Sequence, residues 1–113
     1  MIRIYHNNRC SKSRSALCVL EASGKPFEHV EYLKTPPSVE ELRSILKKLK
    51  LKPQELLRTK EPLYLEKYKG KKLSDEQWLK VLHENPILIE RPIVVNGNKA
   101  VIGRPPEKVL EII

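Results

Sequence analysis

Tyr5-His6-Asn7-Asn8-Arg9-Cys10-Ser11-Lys12-Ser13-Arg14 joins the first strand of this 113-residue chain to its first helix. Upstream, Ile2 to Tyr5 reads as a short strand; downstream, Ala16, Leu17 and Leu20 recur on one helical face. Cys10 therefore falls at or just before a helix N-terminus, facing unpaired backbone N–H groups and the positive end of the helix dipole. A thiol so placed loses its proton more easily, and the thiolate is the form that attacks. Arg9, Lys12 and Arg14 add positive charge within a few residues. The same backbone donors suit an incoming oxyanion. A nucleophile and an anion cradle thus share one loop.

Outward from that loop the chain alternates strand and helix. The first helix stops at Gly24, a good residue for a helix C-terminus, and Phe27 to Leu33 reads as a second strand. Two strands around one helix make a right-handed βαβ unit. Thr35-Pro36-Pro37 breaks regular structure, and Ser38 with Glu41 forms a capping box. Val39, Leu42, Ile45, Leu46 and Leu49 continue it at helical spacing. Pro53 opens a short helix through Leu57; Glu61-Pro62 interrupts, and Leu63 to Tyr68 reads as another short piece. Ser74 and Gln77 form a second capping box ahead of Trp78, Leu79, Val81 and Leu82, and Asn85-Pro86 ends that helix.

Ile93-Val94-Val95 and Ala100-Val101-Ile102 flank Asn96-Gly97, a strong hairpin signal. Pro105-Pro106 then opens a closing helix with Val109, Leu110 and Ile113 inward. The expected fold is α/β: a four-stranded mixed sheet with helices on both faces, in the thioredoxin/glutaredoxin arrangement. An all-helical insert over about residues 38–85 separates the βαβ and ββα halves, within one domain spanning 1–113. Arg91-Pro92, just before the third strand, stands where that arrangement carries a cis-proline facing the cysteine.

Composition narrows the setting. No apolar run approaches the ~18 residues of a membrane span, and the N-terminus goes straight into a strand without a signal-peptide apolar region. Two cysteines without a disulfide framework fit a reducing cytoplasm. The net charge of +8, from 22 basic and 14 acidic residues, favours anionic partners. The lysines at 47, 48, 50, 52, 67, 69, 71 and 72 read as solvated helix faces, because few aromatics interleave them as a nucleic-acid platform requires. His6, His29 and His83 are scattered, and no Cys/His cluster has metal-ligand spacing. His29 and His83 read as surface or capping residues. His6, four residues before the thiol, either tunes the thiolate or hydrogen-bonds the loop.

The cysteine turn from His6 to Arg14, Leu57-Arg58-Thr59-Lys60-Glu61, the run Asn85 to Val95 with Arg91-Pro92, and Gly103-Arg104-Pro105-Pro106 resemble the ArsC-type, glutaredoxin-coupled arsenate reductases. The resemblance runs nearly end to end and includes the helical insert. It implies that Cys10 is the nucleophile and that Arg58, Arg91 and Arg104 surround the oxyanion and its thiolate adduct. His6 and Ser13 would then influence the cysteine's environment. Where many relatives carry proline, this turn has Asn8, which also suits turns.

Three guanidiniums, each a planar fork of donors, suit a reaction in which a thiolate approaches a hydrated anion. A resolving cysteine in a Cys-x-x-Cys arrangement would stand at position 13, which is serine. Cys18, on an ideal helix roughly 12 Å from Cys10, is beyond disulfide reach of about 4.4–6.8 Å between Cα atoms and reads as a small core residue. A monothiol enzyme must borrow electrons. The resemblance supplies glutathione as co-substrate and glutaredoxin as partner; no tightly bound cofactor is expected, the residue patterns above argue against a metal, nucleic acid or a membrane, and a monomer is the expected working form. Two alternatives use the same loop: a glutathione-linked thiol oxidoreductase without arsenate specificity, and a redox-sensing regulator. The second usually has a two-cysteine switch in the turn, against which Ser13 and the full arginine set argue.

Overall fold

The computed structural model describes residues 2–7 and 10–113, with the side chain of Lys12 outside the description. Two compact units emerge: Met1–Thr35 with Arg91–Ile113, and Pro36–Glu90. The first holds the sheet. Strand β1 (Ile2–His6) leads to helix α1 (Ser11–Ala22) and then β2 (Phe27–Glu31), while β3 (Ile93–Asn96) and β4 (Lys99–Ile102) close the chain. The order across the sheet is β2-β1-β3-β4. β1 runs parallel to β2 and antiparallel to β3, and β3 runs antiparallel to β4. This is the mixed four-stranded sheet expected from the sequence.

Alternation places Ile2 and Ile4 of β1 and Val94 of β3 in one core with Ala16 and Leu20 of α1 and Val109. Full burial of each Ile, Leu or Val side chain contributes roughly 1.5–3 kcal/mol. Gly103 lies against this core. A Cβ there would sit 3.1 Å from Pro92 Cγ, 3.2 Å from Ala16 Cβ and 3.4 Å from Val109 Cγ2, so any larger residue must push these neighbours back by a few tenths of an ångström. The hairpin turns at Gly97-Asn98, one residue later than the Asn-Gly signal suggested, because Asn96 pairs with Lys99. Gly97 takes φ 59° at the first central position, as a type II′ turn prefers.

The closing helix is a 3₁₀ helix over Pro106–Glu111. Its three-residue period puts Val109 and Ile112 on the core face and leaves Leu110 exposed, against the expectation from α-helical spacing. The second strand stops at Glu31, two residues early. The N–H groups of Lys34 and Thr35 both donate to Glu31 O, folding Tyr32 and Leu33 into a turn with Leu33 exposed. Cys18, expected in the core, is exposed. It lies two residues beyond buried Ala16, about 200° around the helix and on the opposite face.

The second unit is helical. Helix α2 (Val39–Leu49) buries Leu42, Ile45 and Leu46, and Ser38 Oγ accepts from Glu41 N–H at its start. A 3₁₀ turn spans Pro53–Leu56. Pro62, rather than interrupting, takes the first position of helix α3 (Pro62–Lys67), where its missing N–H costs nothing. Helix α4 (Asp75–Glu84) carries the reciprocal Ser74–Gln77 capping box and buries Trp78, Leu79, Val81 and Leu82. After it, Pro86–Leu88 forms a further 3₁₀ turn. Leu57 and Ile89 pair as an isolated antiparallel bridge. No helix among the described residues is long and apolar enough to cross a membrane.

Candidate active site

Sheet topology gathers four strand ends. The parallel strands β1 and β2 finish at the same edge, with His6 beside Glu31. Antiparallel pairing of Tyr5 with Ile93, and of Ile93 with Ile102, brings the start of β3 and the end of β4 to that edge as well. Each strand is extended there by one notable residue: Cys10 beyond β1, Tyr32 beyond β2, Arg91 before β3 and Arg104 beyond β4. The carboxyl ends of parallel strands are a common place for ligands in α/β sheets.

Cys10 occupies the N-cap of α1 in an extended conformation (φ −99°, ψ 118°) and makes no side-chain cap bond. Its N–H donates to Asn7 O at 3.0 Å, and its carbonyl accepts from Arg14 N–H at 3.0 Å. Cys10 is partly exposed. Arg104 Nη2 lies 4.0 Å from Cys10 Sγ, while Arg104 Nε donates to the Arg91 carbonyl at 2.6 Å. Arg91 Nη1 donates to Tyr32 Oη at 3.4 Å. Burial works against the charge on Arg91, yet its hydrogen bond to Cys10 and its contact with Tyr32 hold the guanidinium above the usual arginine range. Two cations therefore converge on one sulfur. The bonds Arg91-Pro92 and Arg104-Pro105 are both cis; the resemblance anticipated only the first.

Behind the turn, His6 and Ser13 are buried. His6 Nδ1 and Ser13 Oγ are 2.7 Å apart, and Ser13 Oγ accepts from Asn7 N–H at 3.0 Å. This pair ties the end of β1 to the first turn of α1. His6 also packs against His29, ring centroids 4.7 Å apart. Arg14 is exposed on α1. Asn8 and Arg9 lie outside the described residues, as does the side chain of Lys12.

Arg58 belongs to the helical unit. Its N–H donates to Leu88 O at 2.8 Å, and its guanidinium forms ion pairs with Glu61 (Nη1–Oε1 2.8 Å) and Glu90 (Nε–Oε1 3.8 Å). Of the residues singled out from the sequence, the structure thus brings Cys10, Arg91 and Arg104 together, with His6 and Ser13 behind them. It sets Arg58 among carboxylates of its own unit. Tyr32, read from the sequence as part of the second strand, escaped notice as a site residue; the earlier end of that strand puts it at this edge. Among the described residues, no three His, Cys, Asp or Glu side chains gather as a metal ion would need.

A cysteine capping the first helix beyond a parallel strand pair, with a cis-proline leading into an antiparallel hairpin, defines a thiol site on a thioredoxin-like fold. The ArsC family's sequence profile matches residues 5–112, and the chain belongs to the ArsC family. It is 49% identical to a Haemophilus influenzae protein named arsenate reductase, covering 97% of each chain. It is likewise 49% identical to the uncharacterized YfgD of Escherichia coli K12, over 99% of this chain and 96% of that one. The solved arsenate reductase of Vibrio cholerae superimposes with a TM-score of 0.95 at 47% identity, covering 99% of this chain and 97% of that one.

Proposed function

We propose that this protein is an oxidoreductase that reduces arsenate to arsenite, with Cys10 as nucleophile and glutathione and glutaredoxin as electron donors. The observation that carries the reading is a partly exposed Cys10 with the Arg104 guanidinium at its sulfur and Arg91 acting on the same residue. A thiolate and an arsenate dianion repel each other, and fixed cationic donors offset that repulsion while water leaves. Relatives named arsenate reductase at 44–49% identity support the substrate.

The steps balance. Cys10 sulfur bonds to arsenic and one arsenate oxygen leaves as water. Glutathione sulfur then bonds to arsenic, and a second oxygen leaves as water. A glutaredoxin thiolate attacks the glutathione sulfur, forming a mixed disulfide; the S–As electron pair returns to arsenic, reducing As(V) to As(III). Hydrolysis of the remaining Cys10–As bond releases arsenite and restores the thiol. In this cycle Arg91 and Arg104 hold the thiolate and the arsenate oxygens, and Arg58 supplies a third cation. Ser13 at the place of a resolving cysteine makes outside thiols necessary, which fits a reducing cytoplasm and a monomeric enzyme.

The test is NADPH consumption with arsenate, glutathione, glutaredoxin and glutathione reductase, wild type beside Cys10→Ser. Arsenate-dependent turnover that disappears in the variant is the expected result. A Cys10 that takes up glutathione without any response to arsenate rejects the arsenate assignment and leaves a thiol oxidoreductase of other specificity.

A further inference from the structure

We propose that Tyr32 is a positioning residue for the thiol site, its buried hydroxyl holding the Arg91 guanidinium in the orientation that meets Cys10 sulfur and an oxyanion bound there. The oxyanion part of this role rests on the function proposed above. The hold on Arg91 does not.

Tyr32 is 1% exposed, and a tyrosine so deeply buried requires a partner for its hydroxyl. Arg91 Nη1, at 3.4 Å, is one. Guanidinium has donors and no acceptor, so Tyr32 Oη accepts and one edge of the planar fork is fixed. Cys10 in turn helps hold the charge on the same guanidinium. At its other end, the Arg91 backbone is pinned by Arg104 Nε on its carbonyl, and the next carbonyl, Pro92 O, accepts from Gly103 N–H at 2.9 Å. A long, rotatable side chain is thereby held at root and tip before any substrate arrives, which lowers the ordering cost of the reaction. Tyr32 is itself fixed by the double turn on Glu31 O.

The choice of a phenol has a physical reason. A carboxylate in that place would orient Arg91 equally well, but it would cancel the charge and repel an oxyanion. A neutral hydroxyl orients without neutralising.

The experiment is a double-variant cycle of Tyr32→Phe and Arg91→Ala in a Cys18→Ser background, leaving Cys10 as the sole thiol. Iodoacetamide alkylation is followed against pH, and arsenate turnover is measured alongside. Around Cys10 the described residues place Arg91, Arg104 and Tyr32 from three strand ends, Arg14 on α1 and His6 on β1; removing Arg91 separates its part from theirs. Tyr32→Phe is expected to raise the apparent pKa of Cys10 and slow alkylation near neutral pH several-fold. It should also lower arsenate kcat roughly tenfold with KM little changed. With Arg91 already replaced, Tyr32→Phe should alter none of these. A wild-type alkylation profile in Tyr32→Phe overturns the proposal; so do equal effects with and without Arg91, which would mean packing alone. Phenylalanine keeps the ring, and all variants are compared below the lowest thermal midpoint, so lost stability is not read as lost positioning. Should the wild type show no arsenate turnover, the proposed substrate fails while the alkylation cycle still decides the role of Tyr32.

Discussion

Arg91 and Arg58 are the same side chain in opposite company. At the sheet edge, Arg91 donates to a phenol and to Cys10, and Arg104 reaches the same sulfur and a backbone carbonyl. In the helical unit, Arg58 is met by the carboxylates of Glu61 and Glu90. The contacts described for the first pair are with neutral groups, which on the function proposed above leave its charge for the Cys10 thiolate and an incoming anion. The second arrangement carries one positive charge against two negative ones, so an oxyanion binding to Arg58 must displace Glu61 or be repelled. Readiness for an anion is thus decided by what holds the guanidinium and not by its mere presence.

The largest effect expected from breaking this contrast is at the sulfur itself: Cys10→Ser should cut arsenate-dependent kcat/KM at least roughly 10³-fold in the coupled assay. Arg91→Ala should follow, with a loss of roughly 10²–10³ in kcat, the usual cost of removing one preorganised donor to developing charge. Equal losses from Arg58→Ala would erase the distinction drawn here. Gly103→Ala tests the rigidity of the edge: its Cβ would crowd Pro92 and Ala16, and a denaturation midpoint should report about 1–3 kcal/mol of destabilisation. The smallest effect sharpens the comparison from the other side. Glu61→Gln removes one negative charge from Arg58, and arsenate KM should fall about fivefold with kcat nearly unchanged, in line with a partly buried ion pair worth roughly 1 kcal/mol. A rise in KM would mean that Glu61 positions Arg58 instead of competing for it.

The features legible in the sequence were those with local causes. The helix start at Cys10, the N-cap at Ser38, the capping box at Ser74 and the hairpin around Gly97 each follow from a few neighbouring residues, and alternation of strand and helix led from them to the sheet. Arg91 and Arg104 were reached through motif order. What stayed hidden depends on distance or on fine helical geometry. Tyr32 belongs to no motif and acquires its partner only when the end of β2 and the start of β3 come to one edge. Glu90 meets Arg58 from 32 residues away, across the Leu57–Ile89 bridge. Leu110 turns outward because the last helix has three residues per turn, and Cys18 because the inward stripe of α1 passes through Ser13, Ala16 and Leu20.

Arg104 commits Nε to the Arg91 carbonyl and Nη2 to the sulfur, so one side chain stitches the two hairpin ends together across the thiol. Lysine brings equal charge but a single ammonium, which cannot occupy both places as a rigid fork does. Arg104→Lys therefore preserves the electrostatic sum and unfastens the backbone beneath Arg91. The cost of Arg104→Lys should therefore exceed what its unchanged charge suggests, with part of it felt at Arg91.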